Sequence, residues 1–320
     1  YNKAVYDASN EKVVVVYADT GDSVKGKVIV GTVSGSSITF GSPVTFESGD
    51  TNYIAPTFDS TNNKVVIAYK DRDNSNYGTA IVGTVSGTSI TFGSATVFES
   101  ANTSYIASTF DSTNGKVVIA YTDIGNSYYG TAIVGTVSGT SISFGTPVVF
   151  ESAQVLYLSA AYDSANGKVV IAYEDTGNSD KATAIVGTVS GTSISFDSPN
   201  AFVSTVQEYI SAAYDSANQK VVIAFNDKAN SKYGTAFTFS SRTISRNLTA
   251  ENFIGISDGA YSDGQTATIQ LTGAVDDAQS SLTPGQAYYV QNDGTLSTSA
   301  DNPSVFAGTA LASTKLIVRG

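Results

Sequence analysis

From Val117 to Tyr121 the chain reads Val-Val-Ile-Ala-Tyr with no polar interruption. A strand with one wet face alternates apolar and polar side chains, so this run predicts a strand covered on both faces. The pattern Asn-x-Lys-Val-Val-Ile-Ala-Tyr, or a close variant, stands at 10–17, 62–69, 114–121, 166–173 and 218–225, always 52 residues apart. Each buried Val or Ile contributes ~1.5–3 kcal/mol, so five copies of the run can carry much of a core. A small alanine at the fourth place of the run (Ala68, Ala120, Ala172, Ala224) lets neighbouring sheets come close.

The residues around this ribbon complete a unit. In the third copy, YIASTF (105–110), KVVIAY (116–121), GTAIVGTV (130–137) and SISFGTPVVF (141–150) are rich in β-branched and aromatic residues. We name these strands A to D. Asp111 with Asn114-Gly115 links A to B, and Ser138-Gly139-Thr140 links C to D; both are turn chemistry. Short links imply an antiparallel meander. No stretch shows a helical period. A four-stranded unit of this length fits a propeller blade, whereas solenoid coils are shorter, at roughly 20–30 residues.

The fold expected is all-β: a β-propeller of about five four-stranded blades over 1–241, with repeats opening at Tyr1, Tyr53, Tyr105, Tyr157 and Tyr209. The fifth unit has strands A, B and C, then departs from the pattern at Arg242. Its missing outer strand is expected from before Tyr1 or from the segment after Ser241. A linker spans 242–247, and 248–320 read as a small β-barrel or sandwich. Its expected strands are FIGIS, TATIQLTG, AYYVQ, SVFAGTAL and KLIVRG, with turns at Pro284-Gly285 and Asn292-Asp293-Gly294.

Composition narrows the chemistry. Hydrophobic residues are 41% and charged residues 14%, which reads as globular. Cys, His, Met and Trp are all absent. That excludes a disulfide framework, thiolate metal sites and a Ser/His/Asp triad. With no initiator Met, Tyr1 reads as the start of a processed product or of the ordered part of a longer chain. The net charge of -11 argues against a nucleic-acid partner, which needs a basic footprint. No apolar run is long enough for a membrane-spanning helix.

The repeat Y-x4-[FY]-D-S-x-N-x-K-V-V-I-A-Y-x-D resembles the blades of propellers in secreted and virion proteins. The tail, with NLTAENFIGIS, GQAYYVQNDGTLST and PSVFAGTAL…KLIVRG, is similar to the C-terminal module of tail-fibre and other virion appendage proteins of marine bacteriophages, cyanophages among them. The resemblance covers nearly the whole chain. It implies a structural virion protein, localised to the virion, that touches the host, and it assigns no catalytic residue.

Strand direction alternates, so the B–C and D–A connections share one rim. The A–B and C–D links keep one form, while the B–C and D–A segments vary. Variable loops on a rigid scaffold are where binding concentrates. The candidate recognition residues are Asp71, Arg72, Asp73, Asn76, Tyr77, Tyr128, Tyr129, Asp180, Lys181, Lys232 and Tyr233. Tyr beside Asp and Asn suits stacking on and hydrogen bonding to a glycan. Freely drifting solvated loops are the plainer alternative.

The aspartate ending strand B recurs as Asp19, Asp71, Asp123, Asp175 and Asp227. These are candidates for Ca²⁺, against a plainer role capping loop amides. Beyond that cation no cofactor is expected. The same capping role fits Asp7, Asp59, Asp111, Asp163 and Asp215. Glu47, Glu99 and Glu151 repeat by symmetry, and the four arginines share no place in the repeat. A glycosidase needs an unlike carboxylate pair, so an enzyme is not expected.

Three functions follow in order. The first is a non-catalytic virion appendage contacting a host-surface glycan or protein, homo-oligomeric through the C-terminal module, a trimer being the form considered, and joined to other virion proteins. The second is a secreted bacterial lectin-like propeller or adhesin, extracellular or at the cell surface. The third is a carboxylate-based glycoside hydrolase.

Overall fold

A computed structural model describes residues 2–241, 253, 255–258, 266, 268–290, 296–300 and 305–319; the side chains of 204–207 and 229 lie outside that set. The chain divides into two compact units, Tyr1–Ser241 and Arg242–Gly320. The expected linker and the Asn292-Asp293-Gly294 turn fall outside the described residues.

The first unit is a series of antiparallel sheets, as expected of propeller blades. Blade 1 holds β1 (Asn2–Asp7), β2 (Lys12–Asp19), β3 (Lys25–Ser34), β4 (Ser37–Phe40) and the start of β5 (Val44–Asp59). Blade 2 holds the rest of β5, β6 (Lys64–Asp71), β7 (Tyr77–Ser86), β8 (Ser89–Phe92) and the start of β9 (Thr96–Asp111). Blade 3 continues with β10 (Lys116–Asp123), β11 (Tyr129–Ser138), β12 (Ser141–Phe144) and the start of β13 (Val148–Asp163). Blade 4 adds β14 (Lys168–Asp175), β15 (Lys181–Ser190), β16 (Ser193–Phe196) and the start of β17 (Asn200–Asp215). Blade 5 ends on β18 (Lys220–Asp227) and β19 (Tyr233–Phe239).

The apolar ribbon is buried on both faces, and each face meets a different blade. Val117, Ile119 and Tyr121 pack backward on Val66, Ala68, Ala80 and Val82 of blade 2. Val118 and Ala120 pack forward with Ile171, Tyr173 and Ile185 of blade 4. The same division of large rear face and small front face holds between blades 4 and 5, whereas blade 1 presents Val14, Val16, Val28 and Val30 to blade 2. Alanines lie in register across a blade, as in Ala55–Ala68–Ala80, which lets the large side chains of the next sheet approach.

The first three seams are also pinned by one polar pair each. The buried Tyr69, Tyr121 and Tyr173 donate their hydroxyls to Glu47, Glu99 and Glu151 of the preceding blade at 3.0, 2.9 and 3.1 Å. Burial holds all three phenols well above their ordinary range, with the carboxylate adding to the effect. The repeated glutamates therefore serve the seams. At the seam between blades 4 and 5 both partners change together: Val203 of blade 4 stands where the glutamate would be, and Phe225 of blade 5 replaces the tyrosine.

One expected connection is not a loop. The segments ESGDTN, ESANTS and ESAQVL lie inside sixteen-residue strands that leave one blade and enter the next without ending. The first part of β9 pairs with β7 and its second part with β10. The partner changes between Asn102 and Thr103, and two residues further on a bulge in the pairing with β10 holds a tyrosine with a left-handed backbone, with φ of 49° at Tyr53, 47° at Tyr105, 51° at Tyr157 and 53° at Tyr209. Polar residues look like loop in sequence, but here their amides are paired within the sheets.

The second unit contains a two-stranded sheet, β20 (Gly255–Ser257) with β21 (Ile269–Leu271). Its larger sheet runs in the order β22 (Val275–Asp276), β26 (Lys315–Val318), β25 (Phe306–Ala312), β23 (Ala287–Val290), β24 (Leu296–Ser297). Leu282, Tyr288, Ala307, Ala310 and Leu316 form its core.

Candidate functional site

The A–B turns are closed by their aspartates. Asp111 Oδ1 accepts the amides of Thr113 and Asn114 at 3.0 Å each, and its Oδ2 accepts Asn114 Nδ2 at 2.8 Å. The aspartates ending strand B cap their turns in the same way. Asp71, Asp123, Asp175 and Asp227 accept the amides of Asn74, Asn126, Asn178 and Asn230, and Asp19 accepts that of Gly21. These five stand one per blade and serve separate turns. No group of three or more acidic side chains able to hold a metal occurs among the described residues.

The B–C turns and the blade-to-blade crossings do lie on one rim, because they bond to one another. Thr51, Thr103 and Val155 donate amides to the carbonyls of Val24, Asn76 and Tyr128 at 3.1, 3.1 and 3.3 Å. Arg72 pairs with Asp50 at 2.7 Å. The candidate residues are set around this rim, one cluster per blade. Asp71, Arg72, Asp73, Asn76 and Tyr77 are in blade 2, with Asp73 against Gly49 of the crossing. Tyr128 and Tyr129 are in blade 3, the first well exposed and the second half-buried. Asp180 and Lys181 follow in blade 4, where Lys181 donates to Asn178. Lys232 and Tyr233 are exposed in blade 5.

At the centre of this rim lies a feature made of other residues. Tyr53, Tyr105, Tyr157 and Tyr209 contact one another in succession, with ring centroids 5.2, 5.3 and 5.1 Å apart and planes tilted by 48–63°. They line a 410 Å³ cavity together with Lys3, Ile54, Ile106, Leu158, Ile210 and Ser211. A smaller cavity of 110 Å³ lies further along the inner strands, walled by Lys3, Ala55, Ala107 and Ser159 among others. The larger volume falls in the range of ligand pockets, roughly 300–1,000 Å³. Bulky residues seldom adopt φ near +50°, and such strain, of order 1–3 kcal/mol, clusters at binding sites. Here it recurs at all four tyrosines. The sequence signal was the tyrosine opening every 52-residue unit; a buried core tyrosine would leave the same mark.

The position after the ribbon tyrosine differs at each seam. Lys70 donates to Asn102 at 2.8 Å and lies over the Tyr53 ring, and Thr122 donates to the Val155 carbonyl at 2.8 Å. Glu174 has no such partner: its Oε2 is buried without a hydrogen bond. Burial, with Asp180 nearby, pushes its carboxyl up to about 7. Beside it Glu208 pairs with Lys228 at 2.8 Å. Burial and these carboxylates raise the Tyr157 phenol.

No protein-family model matches the chain, and no curated protein does. Solved structures do match, among them the "Hadza microbial sialidase Hz136", with a TM-score of 0.49 and 12% identity over 70% of this chain. The chain spans about half, 52%, of that structure's length. The expectation that this is not an enzyme is corrected by that comparison, since the similar structure is named as one. A likeness at this level assigns no substrate and no catalytic residue.

Proposed function

We propose that the first unit is a carbohydrate-contacting propeller, and that its rim and axial cavity meet a glycan on a host surface. The observation that carries this reading is the row of four tyrosines lining the 410 Å³ cavity. Aromatic rings offer flat apolar area to the faces of sugar rings, with phenol hydroxyls for hydrogen bonds. The variable B–C turns, bonded to the crossings that carry these tyrosines, supply further polar contacts. Display on a virion appendage, with copies joined through the C-terminal unit, extends this reading on the strength of the sequence resemblance.

The test is a glycan array probed with the full chain and with Tyr209→Gly. Tyr209 is 69% exposed at the end of the ladder and has a backbone that glycine adopts freely. Binding should fall at least about tenfold with no loss of thermal stability, as expected when one stacking face of an aromatic site is removed. Unchanged binding across the array would reject the cavity as the contact site.

A further inference from the structure

The inner strands carry one residue that breaks their repeat. Stepping by 52 from Lys3 gives Ala55, Ala107, Ser159 and Ser211. Four units thus place a small side chain where the first places a long cation. The small residues leave open space along the axis, and Lys3 lines both axial cavities. It is the one charged residue among the described residues lining either. None of the ion pairs among the described residues involves it. An ammonium group lining a cavity of tyrosine rings, with no carboxylate paired to it among the described residues, is suited to an anion on the ligand.

We propose that the axial cavity binds an acidic saccharide, with the tyrosine rings against the sugar faces and the Lys3 ammonium meeting a sugar carboxylate. This rests on the carbohydrate reading above and names the ligand class. The net charge of -11 opposes an anion at long range, but solvent-exposed charges beyond about 10 Å are screened at 0.1 M salt. The closer acidic groups are muted. Glu208 is paired with Lys228, and burial raises the Glu174 carboxyl to about 7, so that it carries only part of its charge at neutral pH. Lys3 is the cation that lines the cavity itself, and Lys70 over the Tyr53 ring adds positive charge on the same side.

The experiment is titration calorimetry of the full chain with trisaccharides of galacturonate, glucuronate and mannuronate, each beside its neutral methyl ester. At low salt at least one acid should bind about tenfold tighter than its ester, and the margin should shrink as salt rises. Lys3→Gln should erase the margin while leaving ester binding intact. Tyr209→Gly should weaken acid and ester alike. Equal affinity for acid and ester, or a margin that survives Lys3→Gln, overturns the acidic-sugar inference and leaves the carbohydrate reading standing. Binding indifferent to Tyr209→Gly removes the cavity reading itself. If none of the three acids binds, the inference fails.

Discussion

The seams inside the blade series and its two outer flanks are written with the same residues, yet they are buried very differently. Val85, Ile90 and Phe92 of blade 2 pack against blade 1, with Val85 at 5% and Ile90 at 2% exposure. Their equivalents in blade 1, Val33, Ile38 and Phe40, are 56%, 41% and 48% exposed. At the other end, Ala224 and Ala236 of blade 5 are exposed where Ala120 and Ala132 of blade 3 are fully covered. A doubly apolar strand is therefore buried by its neighbours and not by its own sheet. Stability is a property of the stack, as in other repeat arrays.

The sharpest way to break this comparison is at the glycines that follow the short outer strands. A Cβ on Gly145 would lie 1.9 Å from the Thr192 carbonyl oxygen of the next blade, and Gly41 and Gly93 meet Thr88 and Thr140 in the same way. The fourth unit has Asp197 at this place, and the Ser-Gly-Thr-Ser sequence of the C–D hairpin does not recur in the fifth. Gly145→Ala should lower stability by about 3 kcal/mol or more, as backbone overpacking does, while Asp197→Ala should stay within about 0.5 kcal/mol. Urea unfolding followed by circular dichroism measures both.

Next in size is the apolar face itself. Ile142→Ala, at a seam, should cost ~2–5 kcal/mol by cavity formation. The same change at Ile38, on the open flank, should cost under about 1 kcal/mol. Equal losses at the two positions would mean that the flank is covered in solution.

The seam between blades 4 and 5 should respond to pH. Glu174 titrates near 7 in the folded chain, above its ordinary 4.5. The fold prefers its neutral form, so stability is full below about pH 4.5 and declines as pH rises to about 7. Glu174→Gln should therefore gain on the order of 1–3 kcal/mol over the parent at pH 8 and nothing at pH 4. A gain independent of pH would point to packing instead. Smallest is Tyr121→Phe, which strands Glu99 and should cost about 1 kcal/mol; Tyr17→Phe on the open flank should be near neutral.

Much of this was legible in the sequence. The ribbon Val117–Tyr121 announced two covered faces, and the Asp111 and Asn114-Gly115 turn fixed the strand order. The parity of short links placed the variable turns on one rim. The crossings were misread as loops because Glu99, Asn102 and Ser104 are polar, and polarity does not reveal that amides are paired across two sheets. The tyrosine row was visible only as a period, since a left-handed backbone at Tyr105 has no residue signature as it would at glycine. Lys3 against Ala55, Ala107, Ser159 and Ser211 could have been found by aligning the units column by column. The orphaned Glu174 could not, because its lack of a partner depends on the blade beside it.

The tyrosine–glutamate pins carry a lesson for rearrangement. Each hydroxyl and its acceptor belong to different repeats, 22 residues apart, and where one partner is lost at Val203 the other is lost at Phe225. The segment that can be exchanged intact is therefore not the 52-residue repeat but a window offset from it, running from the outer strand of one blade to the ribbon of the next. Cutting at the repeat boundary and moving the fifth unit inward would set a lone carboxylate against a phenylalanine ring.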